Sequence, residues 1–363
     1  MTPDKYLTKK AKSLHPYVAG LQPQEPGWIK LNTNENPYPP SPKVNEILRS
    51  VDTMSLRLYP PGDGGLLRQT ITASLIPNPT TEHQNSQQPG APSVFCGNGS
   101  DEVLALAFQA FFSGKSNIHT PDISYGFYPV WGAMYDVGLN YIPVEEDFSI
   151  NPAKYSGGNG VIIANPNAPT SLAAGLGAIE DILKQNPNGV VLVDEAYIDF
   201  ANMPSAVALL PKYENLLVVR TFSKSHALAG MRVGYAIGHP RLIDALHLMK
   251  ESFNSYPLDI LAQKAAAAAF SDTAYLASTV EKVIATRDRT IAALAHLGYK
   301  TLPSQANFIL INIGERAEEL YEHLLANKIL ARYWNKPRIA GFLRVTIGTD
   351  EEMEVFISCV KQW

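Results

Sequence analysis

Short apolar runs recur along the chain, separated by longer stretches of helical periodicity. The runs fall at 93–96, 117–119, 141–144, 161–164, 190–193, 216–219 and 233–237. Several are apolar without alternation, which is how strands covered on both faces read. Helix-like stretches such as 101–112 and 178–185 lie between them. This alternation predicts an α/β domain built on a mostly parallel sheet of seven strands. The texture then changes. Residues 241–249 and 261–270 read as helices, the second rich in Ala. Beyond Gly298, strand-like runs at 308–312 and 342–347 flank a helical stretch near 315–327. That part predicts a smaller α+β domain. The polar, Pro- and Gln-rich stretch 77–92 reads as an exposed loop, and no internal repeat is evident.

Composition narrows the class. With 45% hydrophobic and 18% charged residues in 363, the chain has ample core for two or three domains. Thirty basic against 34 acidic residues give a net charge of -4, which argues against nucleic acid or an anionic membrane as main partner. Two cysteines are too few for a disulfide scaffold and fit a reducing cytoplasm. The basic start lacks a following apolar core, so no secretory signal is expected. The charge-free stretch 155–179 is broken by Asn165, Pro166, Asn167 and Pro169, which argues against a membrane span. The 8 histidines show no ligand spacing, so no metal site is expected. There is no Walker A loop, HExxH or GxSxG. A dinucleotide fingerprint beginning at Gly97-Asn98-Gly99 fails at Glu102.

Four segments carry chemistry, each just after a predicted strand, where ligands of open α/β sheets bind. Asp194 ends an apolar strand, with Tyr197 three residues on; a carboxylate there needs a cation or a donor. Read alone, it is as well a helix cap beside a packed Tyr. In Arg220-Thr221-Phe222-Ser223-Lys224, a lysine sits among hydroxyls, with Arg232 shortly after. A desolvated lysine becomes a nucleophilic amine that condenses with aldehydes, and hydroxyls with an arginine make a phosphate clamp. An isolated lysine, however, is usually just solvated. Gly97-Asn98-Gly99-Ser100-Asp101 runs into a helix start, offering backbone N–H groups to an anion or simply turning and capping. Asn165-Pro166-Asn167-Ala168-Pro169-Thr170 is a stiff turn whose asparagines bond either a ligand or their own backbone. Together these describe a site for a phosphorylated aldehyde with a basic ring nitrogen, a description that pyridoxal 5'-phosphate meets.

The Ser-Lys segment with Arg232, the Asp194/Tyr197 pair and the Asn-Pro turn resemble fold-type-I aminotransferases, in the family's order along nearly the whole chain. Leu31-Asn32-Thr33-Asn34-Glu35-Asn36-Pro37-Tyr38, Tyr59-Pro60, the 97–102 segment and Leu343-Arg344-Val345-Thr346-Ile347-Gly348-Thr349 resemble the histidinol-phosphate aminotransferase subfamily. The resemblance implies an N-terminal arm with part of the small domain at 1–45, a large cofactor-binding domain at 46–245, and an interdomain helix with the small domain at 246–363. It implies Lys224 as the residue holding the cofactor as an internal aldimine and moving the proton, Asp194 at the ring nitrogen and Tyr197 at the ring hydroxyl. Tyr125 would stack on the ring. Ser100, Asp101, Thr221, Ser223 and Arg232 would hold the phosphate, with Tyr59 reaching it from a second subunit of a cytoplasmic homodimer.

Arg344 and Arg332 would bind substrate anions, and Tyr17, Asn34 and Asn307 would line the substrate pocket; Asn36 reads equally well as a turn residue. The family usually has Asn where this chain has Ala168. Either Asn167 takes that role by a local shift or Tyr197 holds the hydroxyl with less help. The implied activity is amino transfer between L-histidinol phosphate and 2-oxoglutarate in histidine biosynthesis, with ping-pong kinetics. The alternatives are an aromatic amino-acid aminotransferase or a decarboxylase of a phosphorylated amino acid on the same fold, and a non-catalytic ligand-binding protein on this scaffold.

Overall fold

The structure is a computed structural model and describes residues 4–75 and 91–363; all but the end of the expected loop at 77–92 lies outside the described residues. Seven strands form the large sheet: β1 (Ser93–Gly97), β2 (Ile118–Pro121), β3 (Leu139–Ile142), β4 (Gly160–Ala164), β5 (Val190–Asp194), β6 (Leu216–Thr221) and β7 (Gly234–Gly238), in the order β1-β7-β6-β5-β4-β2-β3. The neighbours from β6 to β3 pair in parallel, and β7 runs antiparallel to both β1 and β6. The expected mostly parallel α/β sheet is therefore present. β3 ends before Pro143, which has no N–H for the ladder.

The apolar runs lack polar alternation because successive residues enter two different cores. Val161, Ile163, Val191, Val193, Leu216 and Val218 pack on one side with Leu67, Ile179, Ile182 and Ala262. Ile162, Leu192, Leu217 and Val219 pack on the other with Val103, Leu104, Trp131 and Leu246. Helices Gly65–Leu75, Leu176–Gln185 and Ile260–Phe270 cover the first face; Gly99–Ala107, Tyr128–Met134 and Pro240–Glu251 cover the second.

A second, antiparallel sheet contains β8 (Lys300–Thr301), β9 (Phe308–Asn312), β10 (Arg332–Tyr333) and β11 (Phe342–Thr346), in the order β10-β11-β9-β8. Helices Thr273–His296, Ala317–Ala326 and Asp350–Gln362 close its core through Val283, Leu294, Leu320, Leu324, Met353 and Phe356. The N-terminal stretch is threaded into this unit. Ile29–Lys30 pairs in parallel with Ile329–Leu330, and Thr346 N–H donates to the Leu31 carbonyl at 2.9 Å. This delivers residues 32–36 to the carboxyl edge of the large sheet. Among the described residues no helix is long and apolar enough to cross a membrane, and no cluster of metal-ligating side chains occurs.

Candidate active site

Strand register brings the four segments to one edge. Ala164 pairs with Asp194 and Asp194 with Val219, while Thr221 pairs with Gly234 and Gly234 with Gly97. A cavity of about 390 Å³ opens there. Of the sixteen expected site residues, thirteen line it: Tyr17, Asn34, Ser100, Asp101, Tyr125, Asp194, Tyr197, Thr221, Ser223, Lys224, Arg232, Arg332 and Arg344.

Asp194 is buried at the strand end. Its carboxylate accepts the Tyr128 hydroxyl at 3.0 Å and the Ala196 N–H at 3.2 Å. Burial pushes its carboxyl up to about 7, against these two donors. Among the described residues no cation pairs with it, so it is a buried acid whose counter-charge the chain does not supply. Lys224 Nζ donates to the Thr33 carbonyl at 3.0 Å and lies 5.7 Å from the centre of the Tyr197 ring. Burial, and then the nearby Arg344 guanidinium, bring this amine down to about 8, with Glu35 and Asp101 opposing. An appreciable fraction is thus neutral and nucleophilic near neutral pH.

A cradle for an anion lies beside them. Gly99 opens the helix Gly99–Ala107 at φ 82°, and a Cβ there would stand 2.5 Å from an Arg232 nitrogen. A Cβ on Gly234 would intrude on the Ser100 backbone N. Only glycine at both positions lets the helix start and the guanidinium close in. Arg232 makes only long contacts, 3.4 Å to Ser223 Oγ, 3.3 Å to the Ala229 carbonyl and 3.4 Å to Asp101, so its fork retains capacity for a further anion. The Thr221 and Ser223 hydroxyls are 3.0 Å apart at the cavity wall. Tyr125 donates to Asp101 at 3.0 Å, and Tyr17 stacks on Phe127 with ring centres 4.8 Å apart.

Arg332 and Arg344 are cross-strand partners on β10 and β11. One Arg344 nitrogen donates to the Asn32 carbonyl at 2.6 Å, while its Nε is buried without a partner. Arg332 donates to the Val18 carbonyl at 2.7 Å. An adjoining cavity shares Arg344, Tyr17, Tyr125 and Tyr197 and reaches Trp334, Lys336 and Arg338.

Three expected residues are not brought to the cavity. Asn167 turns away: its amide donates to the Ile123 carbonyl (2.9 Å) and Thr170 (3.0 Å) and accepts from Ser124 (2.8 Å). The cavity wall is Ala168 instead, so the geometry offers no local shift by which Asn167 replaces the missing Asn. Asn307 is fully buried behind the wall, its amide donating to the Asn34 carbonyl at 3.0 Å. Tyr59 is 81% exposed and stacks on Tyr256, with ring centres 4.6 Å apart.

Several participants carry no signal in the residue pattern. Thr33 contributes a backbone carbonyl, which any residue type supplies. Tyr128 is one aromatic in a run of them, and its partner is 66 positions away. Glu35 lines the cavity and is held by Lys30 (2.6 Å) and Thr33 (2.8 Å); its place beside Asn34 was the only pointer.

The buried amine, the acid lacking a counter-cation and the glycine-cleared cradle suit a phosphorylated pyridine aldehyde, and on this sheet they define a fold-type-I transferase. More particularly, the chain belongs to the aminotransferase class I and II family, whose family model matches residues 26–360. It is 48% identical to a histidinol-phosphate aminotransferase of Marinomonas sp. (strain MWYL1), over 98% of this chain and 99% of that protein. Identity to a histidinol-phosphate aminotransferase of Acinetobacter baumannii (strain SDF) is 46%, over 99% and 97%. The crystal structure of histidinol-phosphate aminotransferase from Sinorhizobium meliloti in complex with pyridoxal-5'-phosphate shares the fold, with a TM-score of 0.84 at 21% identity over 99% of this chain and 98% of that one.

Proposed function

We propose that this chain is a pyridoxal-phosphate-dependent aminotransferase moving an amino group between L-histidinol phosphate and 2-oxoglutarate in histidine biosynthesis. The observation that carries this reading is the Lys224 amine, buried in one cavity with an Asp194 carboxyl that has no cation of its own and with two substrate-side arginines. The near full-length identity to histidinol-phosphate aminotransferases supports the choice of substrate.

When bound, pyridoxal phosphate supplies a carbonyl that condenses with amines and a ring that takes up the electron pair left by a breaking carbon–hydrogen bond. Lys224 Nζ, neutral in part near pH 8, is the group that holds the cofactor and then takes and returns the proton on the substrate carbon. Asp194 would pair with the ring nitrogen and favour its protonated form. Tyr197 would donate to the ring hydroxyl. Arg232, Ser223, Thr221, Ser100 and the N–H groups at the start of the helix Gly99–Ala107 would hold the phosphate. Tyr125 would pack against the ring. Arg344 and Arg332 orient the phosphate of one substrate and the carboxylates of the other. Tyr17, stacked on Phe127, and Tyr125 line one side of the cavity. Because both substrates use one cavity in turn, initial rates follow ping-pong kinetics.

Exposed apolar side chains gather around Tyr59, on two segments joined by its stacking on Tyr256: Met54, Leu56 and Leu58 on one, Phe253 and Tyr256 on the other. This supports a homodimer in which Tyr59 enters the partner's phosphate site. The two free, buried cysteines suit a cytoplasmic setting.

The test is a substrate screen on purified protein loaded with pyridoxal phosphate. L-histidinol phosphate with 2-oxoglutarate yields glutamate and parallel double-reciprocal lines. Faster turnover of phenylalanine, or carbon dioxide release from O-phosphothreonine, would reject the proposed substrate.

A further inference from the structure

Asn34 has its backbone in the left-handed region at φ 57° and is 1% exposed. Its polar groups are engaged. The backbone N–H donates to Thr346 Oγ1 at 2.9 Å, and the carbonyl accepts from Asn307 Nδ2 at 3.0 Å. The side-chain Oδ1 lies 3.1 Å from Thr346 Oγ1, and Nδ2 lies 3.0 Å from the Tyr197 hydroxyl. An amide so fully used has little left for substrate. It does fix where protons point. Thr346 is 2% exposed, and the Asn34 Oδ1 is the acceptor within reach of its hydroxyl proton. Turned over, the amide would leave that buried proton unsatisfied. Nδ2 therefore faces Tyr197, whose oxygen accepts there and whose own proton is sent elsewhere, into the cavity that Tyr197 lines.

We infer that Asn34 is a positioning residue: locked by Thr346, it holds Tyr197 as a one-way hydrogen-bond donor toward the ring oxygen of the cofactor. The inference rests on the cofactor reading above. It matters more in this chain because Ala168 presents only a methyl group where a second donor would stand. A donor at the ring oxygen withdraws charge from it and makes the neighbouring nitrogen, the one joined to Lys224, less basic. Asn34 thus acts on the cofactor through Tyr197, at a distance set by residues 312 positions apart in the chain.

The experiment is a pH titration of the visible absorbance band of the cofactor-loaded enzyme, for the unaltered chain and for Asn34→Ala, Asn34→Asp and Thr346→Val. Asn34→Ala and Thr346→Val raise the midpoint by roughly half to one pH unit. Asn34→Asp raises it most, because a carboxylate there takes the Tyr197 proton for itself. Thermal unfolding of each variant checks the fold, and Thr346→Val, which keeps the side-chain volume, provides the reading if Asn34→Ala does not fold. An unchanged midpoint in a folded, fully loaded variant overturns the inference and leaves the functional reading standing. Absence of the band in the unaltered protein overturns both.

Discussion

The Tyr128 hydroxyl donates to the buried Asp194 carboxylate at 3.0 Å. It is one of two donors opposing the desolvation that pushes this acid up to about 7. Tyr128→Phe removes it while keeping the ring against Phe108 and Trp131. The acid then stays protonated to higher pH, and only the carboxylate pairs with a protonated ring nitrogen. Cofactor affinity at pH 7 falls by about tenfold or more, the equivalent of one hydrogen bond to a charged group, and recovers toward pH 9. Fluorescence titration with pyridoxal phosphate at both pH values checks this; equal affinities for variant and parent at pH 7 would rule it out.

Lys224 links pH to the stability of the cofactor-free protein. Its amine is brought down from 10.5 to about 8, chiefly by burial. Between those values the unfolded chain binds a proton that the folded chain has released, so this residue's contribution to stability rises with pH across that window. Below pH 8 both states are charged and the cost of burying the cation is fully present. Lys224→Met removes that cost. The cofactor-free variant is expected to be more stable at pH 7 by up to about 3 kcal/mol, with the difference shrinking toward pH 10. It also forms no lysine-linked chromophore. Urea denaturation at several pH values measures the first effect and absorbance the second.

Two glycines at the cradle separate binding from folding. Alanine at 99 suffers strain at φ 82° and puts its methyl against Arg232, the end of a flexible side chain. Gly99→Ala displaces the guanidinium, and affinity for pyridoxal phosphate and for inorganic phosphate falls by about tenfold or more. Alanine at 234 meets the Ser100 backbone, which has nowhere to go. Gly234→Ala therefore lowers the thermal midpoint or abolishes soluble expression. A Gly99→Ala protein that binds phosphate as the parent does would refute the cradle assignment.

The residues legible in the sequence are those whose chemistry conflicts with their neighbours. Asp194 directly ends a wholly apolar run, Lys224 sits among hydroxyls just past another, and Arg232 follows shortly after Gly230. What stayed hidden depends on distant partners or on a single step of register. Asn34 reads as a polar pocket residue, but its bonds to Thr346 and Tyr197 turn it into a support. Asn167 and Ala168 are adjacent and face different surroundings, so identity alone could not tell which one meets the cavity. The helix Thr273–His296 carries a weak sequence signal because buried Thr279, Thr286, Arg287 and Thr290 interrupt its apolar stripe. Those polar groups find partners in the helix itself, as where Thr290 donates to the Thr286 carbonyl at 2.8 Å, or far along the chain, as where Arg287 donates to the Phe200 and Ala306 carbonyls at 3.2 Å, which the pattern does not reveal.

Arg332 and Arg344 face each other across β10 and β11, and like charges so placed repel. Both guanidiniums lie over the Trp334 ring, 5.4 Å from its centre for Arg332 and 5.3 Å for Arg344, and its π face offsets part of that repulsion. The remainder is available to a bound anion. The two arginines differ in burial and in partners. Arg344 is enclosed, with a buried Nε lacking an acceptor, and desolvation lowers its guanidinium; on the proposed reading it is the main anchor for an anionic substrate. Arg332 is half-buried and already spends one N–H on the Val18 carbonyl of the N-terminal segment. Arg344→Lys loses the planar fork and raises KM for both L-histidinol phosphate and glutamate, by about tenfold or more. Arg332→Gln raises KM chiefly for the phosphorylated substrate, whose doubly charged group gains most from a second cation. Trp334→Ala leaves both cations in place without their shared screen, and so raises both KM values modestly while increasing their dependence on ionic strength. Steady-state kinetics at two salt concentrations separates these patterns, and equal KM changes for both substrates in Arg332→Gln would show that the pair does not divide the work.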